Sequence, residues 1–159
     1  MTERRAFLLW FVETLAVAGA MFFAWTRGVP QTIWANDASM MTSAIGALFV
    51  VTAAWLGWQA WLSDSPPKYL GLDGYGRRIE AIPGGSLDFG HNAERWCVML
   101  GFVGTAIGLS MQAKSLSAGA TSFVALATSL FTTASGGTAA LLIGVMTYSL
   151  EVGIRRSRR

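Results

Sequence analysis

SLFTTASGGTAALLIGVMTYSLE, residues 129–151, decides the class of this chain. It exceeds the roughly 20 apolar residues that a helix needs to cross a bilayer, and it carries no charge before Glu151. Yet it holds Ser129, Thr132, Thr133, Ser135 and Thr138 beside the pair Gly136 and Gly137. A helix built for hydrocarbon has to find a use for so many hydroxyls.

The rest of the chain is equally lipid-soluble. Of 159 residues, 53% are hydrophobic and 13% are charged, about half the charged share of an average soluble domain. Mean hydropathy is +0.45. Seven Trp residues add the signature of membrane–water boundaries. Three more runs qualify as spans: 6–26, 40–62 and 96–111, the last short unless its helix continues on either side. Asn92 offers an N-cap for it. The first run follows Arg4 and Arg5 but is too long for a signal-peptide core and lacks a clean cleavage site, so a retained span is expected. The fourth run extends over 121–150, about 45 Å of helix, longer than the hydrocarbon core. The expected fold class is therefore all-α and polytopic, with four transmembrane helices and a long last one.

Three regions follow: an N-terminal two-span hairpin over 1–62, a short Gly/Pro-rich loop over 63–95, and a second two-span hairpin with a basic tail over 96–159. The loop is punctuated by Pro66, Pro67, Gly71, Gly74, Gly76, Pro83, Gly84 and Gly85, too often for a packed domain. Its GLDGYG run follows a membrane helix and lacks a Lys-Ser/Thr ending, so turns rather than a phosphate loop are expected. Asp88 and His91 show no metal-ligand spacing, and Cys97 is alone. No nucleophile, base or metal ligands cluster, which argues against an enzyme, a catalytic residue or a bound metal. The basic run at Arg155, Arg156, Arg158 and Arg159 is a membrane anchor that favours anionic lipid head groups rather than nucleic acid. With both termini in the cytoplasm, ten Lys/Arg lie inside and only Arg27 and Lys114 outside.

Small residues mark the last two spans as neighbours. Gly101, Gly104 and Gly108 recur on the third at spacings that let helices approach closely. On the fourth, Ala125, Thr128 or Ser129, Thr132, Ser135 or Gly136, and Ala139 form one small, partly hydroxylated stripe. Such hydroxyls commonly bond a carbonyl one turn back and act as glue between helices. Hydroxyls from two helices beside glycines also fit a wet or partner-lined seam, since a Thr can donate to or accept from water, a carboxyl or a cation.

MLGFVGTAIGLSM followed by ALATSLFTTASGGTAALLIGVMTYSLE resembles the paired channel helices of the MotA/TolQ/ExbB family of stator and energy-transducing subunits, over about 93–151. The resemblance implies a homo-oligomeric ring, a pentamer, around a dimer of single-span MotB/TolR/ExbD-like partners whose Asp takes and releases the ion. It implies that Thr105 and Thr133 face the pore, with Thr128, Thr132, Ser135 and Thr138 as further ion-path residues. Gly101, Gly104, Gly108, Gly136 and Gly137 are expected to let helices close up. It further implies a bacterial inner membrane, no bound cofactor, and H⁺ or Na⁺ as the transported ion. Two positions depart from the family: Thr128 stands where some members have Glu, and Leu142 where a proline often follows. The short insert at 63–95 disfavours flagellar torque, where a large cytoplasmic domain grips the rotor. Glu13 is the one carboxylate inside a span and a candidate functional group, unless it pairs with Arg4, Arg5 or a neighbouring subunit. The competing expectation is a holin-like or structural oligomer that needs no partner.

Overall fold

The computed structural model describes residues 5–37, 39–64, 68–72, 78–81, 87–119 and 123–157. Arg4, Pro66, Pro67, Gly74, Gly76, Pro83, Gly84, Gly85, Arg158 and Arg159, used above, lie outside them. Five helices, α1 (Arg5–Thr26), α2 (Val29–Asn36), α3 (Met41–Ser63), α4 (Asp88–Ser117) and α5 (Phe123–Ser157), are described together with a two-stranded antiparallel ribbon of β1 (Lys68–Leu72) and β2 (Arg78–Ala81) between α3 and α4 in the chain. Four of the helices, all but α2, are long and apolar enough to cross a membrane. Their outward faces present Val12, Phe22, Val50, Phe102, Leu130 and Leu141, which suit acyl chains rather than water.

Three boundaries differ from the expected ones. The ribbon occupies part of the segment read as loop; its strands are four and five residues long, with a register shift between Tyr69 and Gly71. Runs this short barely establish an alternating pattern. Helix α4 begins at Asp88 instead of near Trp96, so Asn92 lies inside it rather than capping it. The polar residues of its first two turns concealed helix from a hydropathy reading. Helix α2 was not anticipated; Gly28 adopts a left-handed conformation (φ 74°) that ends the first helix, and Pro30 pre-sets the next one.

Carboxylates hold the entries into α3 and α1. Asp37 Oδ2 accepts from the Thr42 amide at 2.8 Å, while Oδ1 accepts from the Ser39 amide and hydroxyl at 3.1 and 2.7 Å. Burial alone pushes the Asp37 carboxyl up, but the hydrogen bonds from Ser39 and Thr42 outweigh it and hold it below its ordinary value of 3.8. At the opposite end, Asp64 Oδ2 accepts from the Phe7 amide at 2.9 Å, so the end of α3 caps the start of α1.

Helix α5 is the hub, touching every other helix, and α4 most extensively. The helices align at the end that holds both chain termini. There Ala6 lies against Gly153, and Gly90 against Thr147 and Leu56. The Trp10 indole lies over Gly57 and donates to the Ala53 carbonyl at 3.1 Å. Phe7 with Trp61, and Trp55 with Phe89 and Trp96, complete an aromatic belt at this level. The other end is uneven. Ile45 shares a core cluster with Cys97 and Ala139, so Met41, one turn on, is level with about Gly101–Thr105. Helices α4 and α5 run on past α3 for ten residues or more, about 15 Å at 1.5 Å per residue. Helix α2 packs against α5, α3 and α1 beside this projection.

Two consequences are measurable. Asp37→Ala should lower stability by about 1 kcal/mol at neutral pH, the usual worth of a cap. Because the folded carboxyl is depressed, that contribution should be complete above the unfolded value and vanish as pH falls through the folded one. Thermal unfolding in detergent, wild type against variant over an acid series, checks both. Gly57→Val should cost about 1–3 kcal/mol by driving Cβ into the Trp10 ring, read as a lower unfolding temperature that Trp10→Ala partly restores.

Candidate functional site: the seam between the last two spans

Helices α4 and α5 meet through glycine. A Cβ on Gly104 would come within 2.6 Å of the Thr132 Cβ, and one on Gly136 within 2.7 Å of the Cys97 carbonyl. A Cβ on Gly108 would strike the Ser129 hydroxyl, and Gly101 lies against the Thr132 carbonyl and Gly136 Cα. The stripe expected on α5 is thus the face buried against α4: Ala125, Thr128, Ser129, Thr132, Gly136 and Ala139 all lie inside. Gly137 does not belong to this contact. It is exposed, with nothing within 4 Å of an added Cβ, because one residue of helix turns it about 100° away from Gly136.

The six hydroxyls expected along an ion path separate into three groups. Thr128 and Thr132 are fully buried, and donate to the Val124 carbonyl at 2.9 Å and the Thr128 carbonyl at 2.8 Å. These are the i−4 bonds by which a helix absorbs a hydroxyl in an apolar setting, so within this chain both are packing residues. Ser135 is half-buried and Thr138 exposed, and they sit about 200° and 140° around α5 from Thr133. Only Thr105 and Thr133 come together.

Their hydroxyls bond each other across the seam. Thr105 Oγ1 also lies 2.9 Å from the Gly101 carbonyl, and Thr133 Oγ1 lies 2.8 Å from the Ser129 carbonyl. Two hydroxyls own two protons. One proton makes the mutual bond and the other goes to a carbonyl, which leaves unused lone pairs on the pair. Thr133 is exposed and Thr105 half-buried, so the pair stands at the edge of the seam and not within it. The pair can accept from a carboxylic acid or water, or coordinate a cation, without holding charge itself. Ser129 ties the same place together, with its hydroxyl 3.3 Å from both the Thr105 and Ala125 carbonyls.

Glu13 is half-buried and accepts from Ser149 Oγ at 2.8 Å, which joins α1 to α5. That partner is 136 residues away in sequence and carries no local signal. Among the described residues no group of three or more His, Cys, Asp or Glu could hold a metal ion. Compared with known proteins, the chain matches no family model, no curated protein and no solved structure. The family resemblance therefore stands on the two quoted motifs alone.

The seam has a sharp internal control. Gly104→Val should lower the unfolding temperature by an amount corresponding to about 1–3 kcal/mol of overpacking, whereas Gly137→Val, on the open side, should leave it within the scatter of surface substitutions, about 0.5 kcal/mol. Equal losses at both positions would contradict the packing described.

Proposed function

We propose that this chain is the ion-conducting subunit of a bacterial inner-membrane motor or energy transducer. It would assemble as a ring, a pentamer in the family it resembles, with its Thr105–Thr133 flank turned to the axis. A dimer of single-span partners would fill that axis and bring the Asp that binds H⁺ or Na⁺. Both termini would lie in the cytoplasm, the aromatic belt marking the cytoplasmic boundary and the projecting tip of α4 and α5 the outer one. The partner moves as the ion passes.

One observation carries this reading: two hydroxyls from adjacent spans meet, with free acceptor capacity, on an exposed flank of a hairpin that is otherwise apolar. An ion entering hydrocarbon loses its hydration, at a cost of several kcal/mol or more, and fixed oxygens replace part of that shell. The same flank has no carboxylate at the level of the pair. The charge-carrying group then has to come from another chain, which is what separates this reading from a self-sufficient pore.

Thr133→Val keeps the shape and removes the oxygen. Expressed with its native partner in membrane vesicles, it should abolish uptake of H⁺ or Na⁺ while the oligomer, sized in detergent, is unchanged; Thr133→Ser should conduct. Unaltered flux in Thr133→Val removes the pair from the mechanism. Nonselective leak from the wild-type chain expressed alone would instead identify the holin-like reading, in which the Thr105–Thr133 pair also serves packing only.

A further inference from the structure

A path that starts at the hydroxyl pair has to end in water at the other side, and one titratable side chain stands on that course. Glu94 lies eleven residues before Thr105 on α4. Eleven residues are three turns, about 20° of residual rotation and about 16 Å of rise. Glu94 and Thr105 therefore share one flank of α4, and both are half-buried. On α5, Thr133, Gly137 and Gly144 fall within about 40° of one another by the same arithmetic. The two flanks meet. The Glu94 carboxyl lies 3.3–3.4 Å from where a Cβ of Gly144 would sit, so it reaches across to α5 instead of into lipid. Between the two levels α5 presents Gly137, with open space beside it, while Val98 on α4 and Leu141 on α5 are the larger side chains on this flank.

We propose that Glu94 is the ion-accepting group at the cytoplasmic end of the Thr105–Thr133 path. The proposal rests on the conducting reading above and adds a second station to it. Threonine hydroxyls relay a proton or hold a cation briefly, but at neutral pH they cannot keep a negative charge that draws the ion off the partner's carboxylate. A carboxylate about 16 Å further on can. In the H⁺ case the proton released by the partner's carboxylic acid passes along the hydroxyl pair and through water to Glu94, which becomes a neutral acid and then gives that same proton to cytoplasmic water. In the Na⁺ case its two oxygens replace part of the ion's hydration before release. Glycine at 144 leaves the carboxyl its place; a Cβ there would sit 3.3–3.4 Å from it, so the Glu94 side chain would have to give way slightly. Among the described residues Glu94 makes no hydrogen bond or ion pair, so nothing in the fold consumes it as a structural group. Sequence reading passed over it because its neighbours Arg95, Asn92 and His91 gave it the look of an exposed loop charge.

Two measurements on the full chain with its native partner test this. First, membrane vesicles loaded with a pH-sensitive or Na⁺-sensitive dye compare Glu94→Gln, Glu94→Asp and Thr133→Val with wild type. Glu94→Gln should lower flux by about tenfold or more, in the range lost with a proton-transfer group, at unchanged oligomer size and unfolding temperature, and Glu94→Asp should restore much of it. Second, the apolar reagent dicyclohexylcarbodiimide, followed by mass spectrometry, should modify Glu94 in the membrane. Protection by raising pH alone assigns H⁺, and protection by added Na⁺ at fixed pH assigns Na⁺. Loss of flux in Thr133→Val with wild-type flux in Glu94→Gln overturns the role of Glu94 and leaves the conducting reading standing. Wild-type flux in Thr133→Val with loss in Glu94→Gln overturns the hydroxyl path and keeps Glu94 as the acceptor on another route. Flux indifferent to both overturns both.

Discussion

The structure depends on how closely two backbones approach along the α4–α5 seam. Gly101, Gly104 and Gly108 on one side and Gly136 on the other remove the side chains that would hold the helices apart. In lipid there is little hydrophobic drive to bring helices together, so dispersion contacts between closely packed backbones take its place. Ser129 bonds across the contact, and Thr132 fills the hollow over Gly104. With bulky residues at those glycines, Thr105 and Thr133 could not reach each other. The hydroxyl pair is thus a product of the packing and not an addition to it.

From that hairpin the rest of the bundle takes its order. Helix α5 supplies Ala140, Ile143 and Met146 to two core clusters that hold α3 in place, and Gly153 and Ser149 to hold α1. Polar fastening holds two helix starts, Asp64 on α1 and Asp37 on α3, and two places within the spans, Trp10 on the Ala53 carbonyl and Ser149 on Glu13. Along the spans, hydroxyls mostly return to their own helix, as Thr52 does to the Leu48 carbonyl and Thr128 to that of Val124. Thr105 and Thr133 break that habit, since their hydroxyls also engage each other. Among the described residues the buried hydroxyls of Thr14 and Thr147 have no hydrogen-bond partner; what sets Thr105 and Thr133 apart is that they meet across two helices at an exposed edge, and the proposed conduction uses that.

Particular residues show how far patterning reached and where it stopped. The four long apolar segments, a small-residue stripe on α5, and the role of Gly104 and Gly108 follow from composition and three- or four-residue spacing, whereas Thr128 and Thr132, expected on an ion path, are fully buried in the packing face. Ser135 and Thr138 were grouped with Thr133 because they are near it in sequence; rotation of 100° per residue carries them to other sides of α5. Gly137 was grouped with Gly136 for the same reason and faces open space. Glu94 gave no signal at all, since what distinguishes it is Gly144, a residue fifty positions further along the chain. The two turns of α4 before Trp96 and the β1–β2 ribbon were hidden because polar helix and four-residue strands resemble loop in hydropathy.

By itself the sequence determined four segments long and apolar enough to cross a membrane as helices, because a helix satisfies its backbone groups within one segment, and it determined which residues are small enough for helices to touch. It also placed hydroxyls on the last two spans. Which hydroxyls meet, which are sealed in the seam, and which carboxylate shares their flank were decided only by the tertiary structure. The reason is geometric: a residue's direction around its helix follows from periodicity, but the partner it faces depends on the axial register of two helices, and that register is set by contacts between residues distant in the chain.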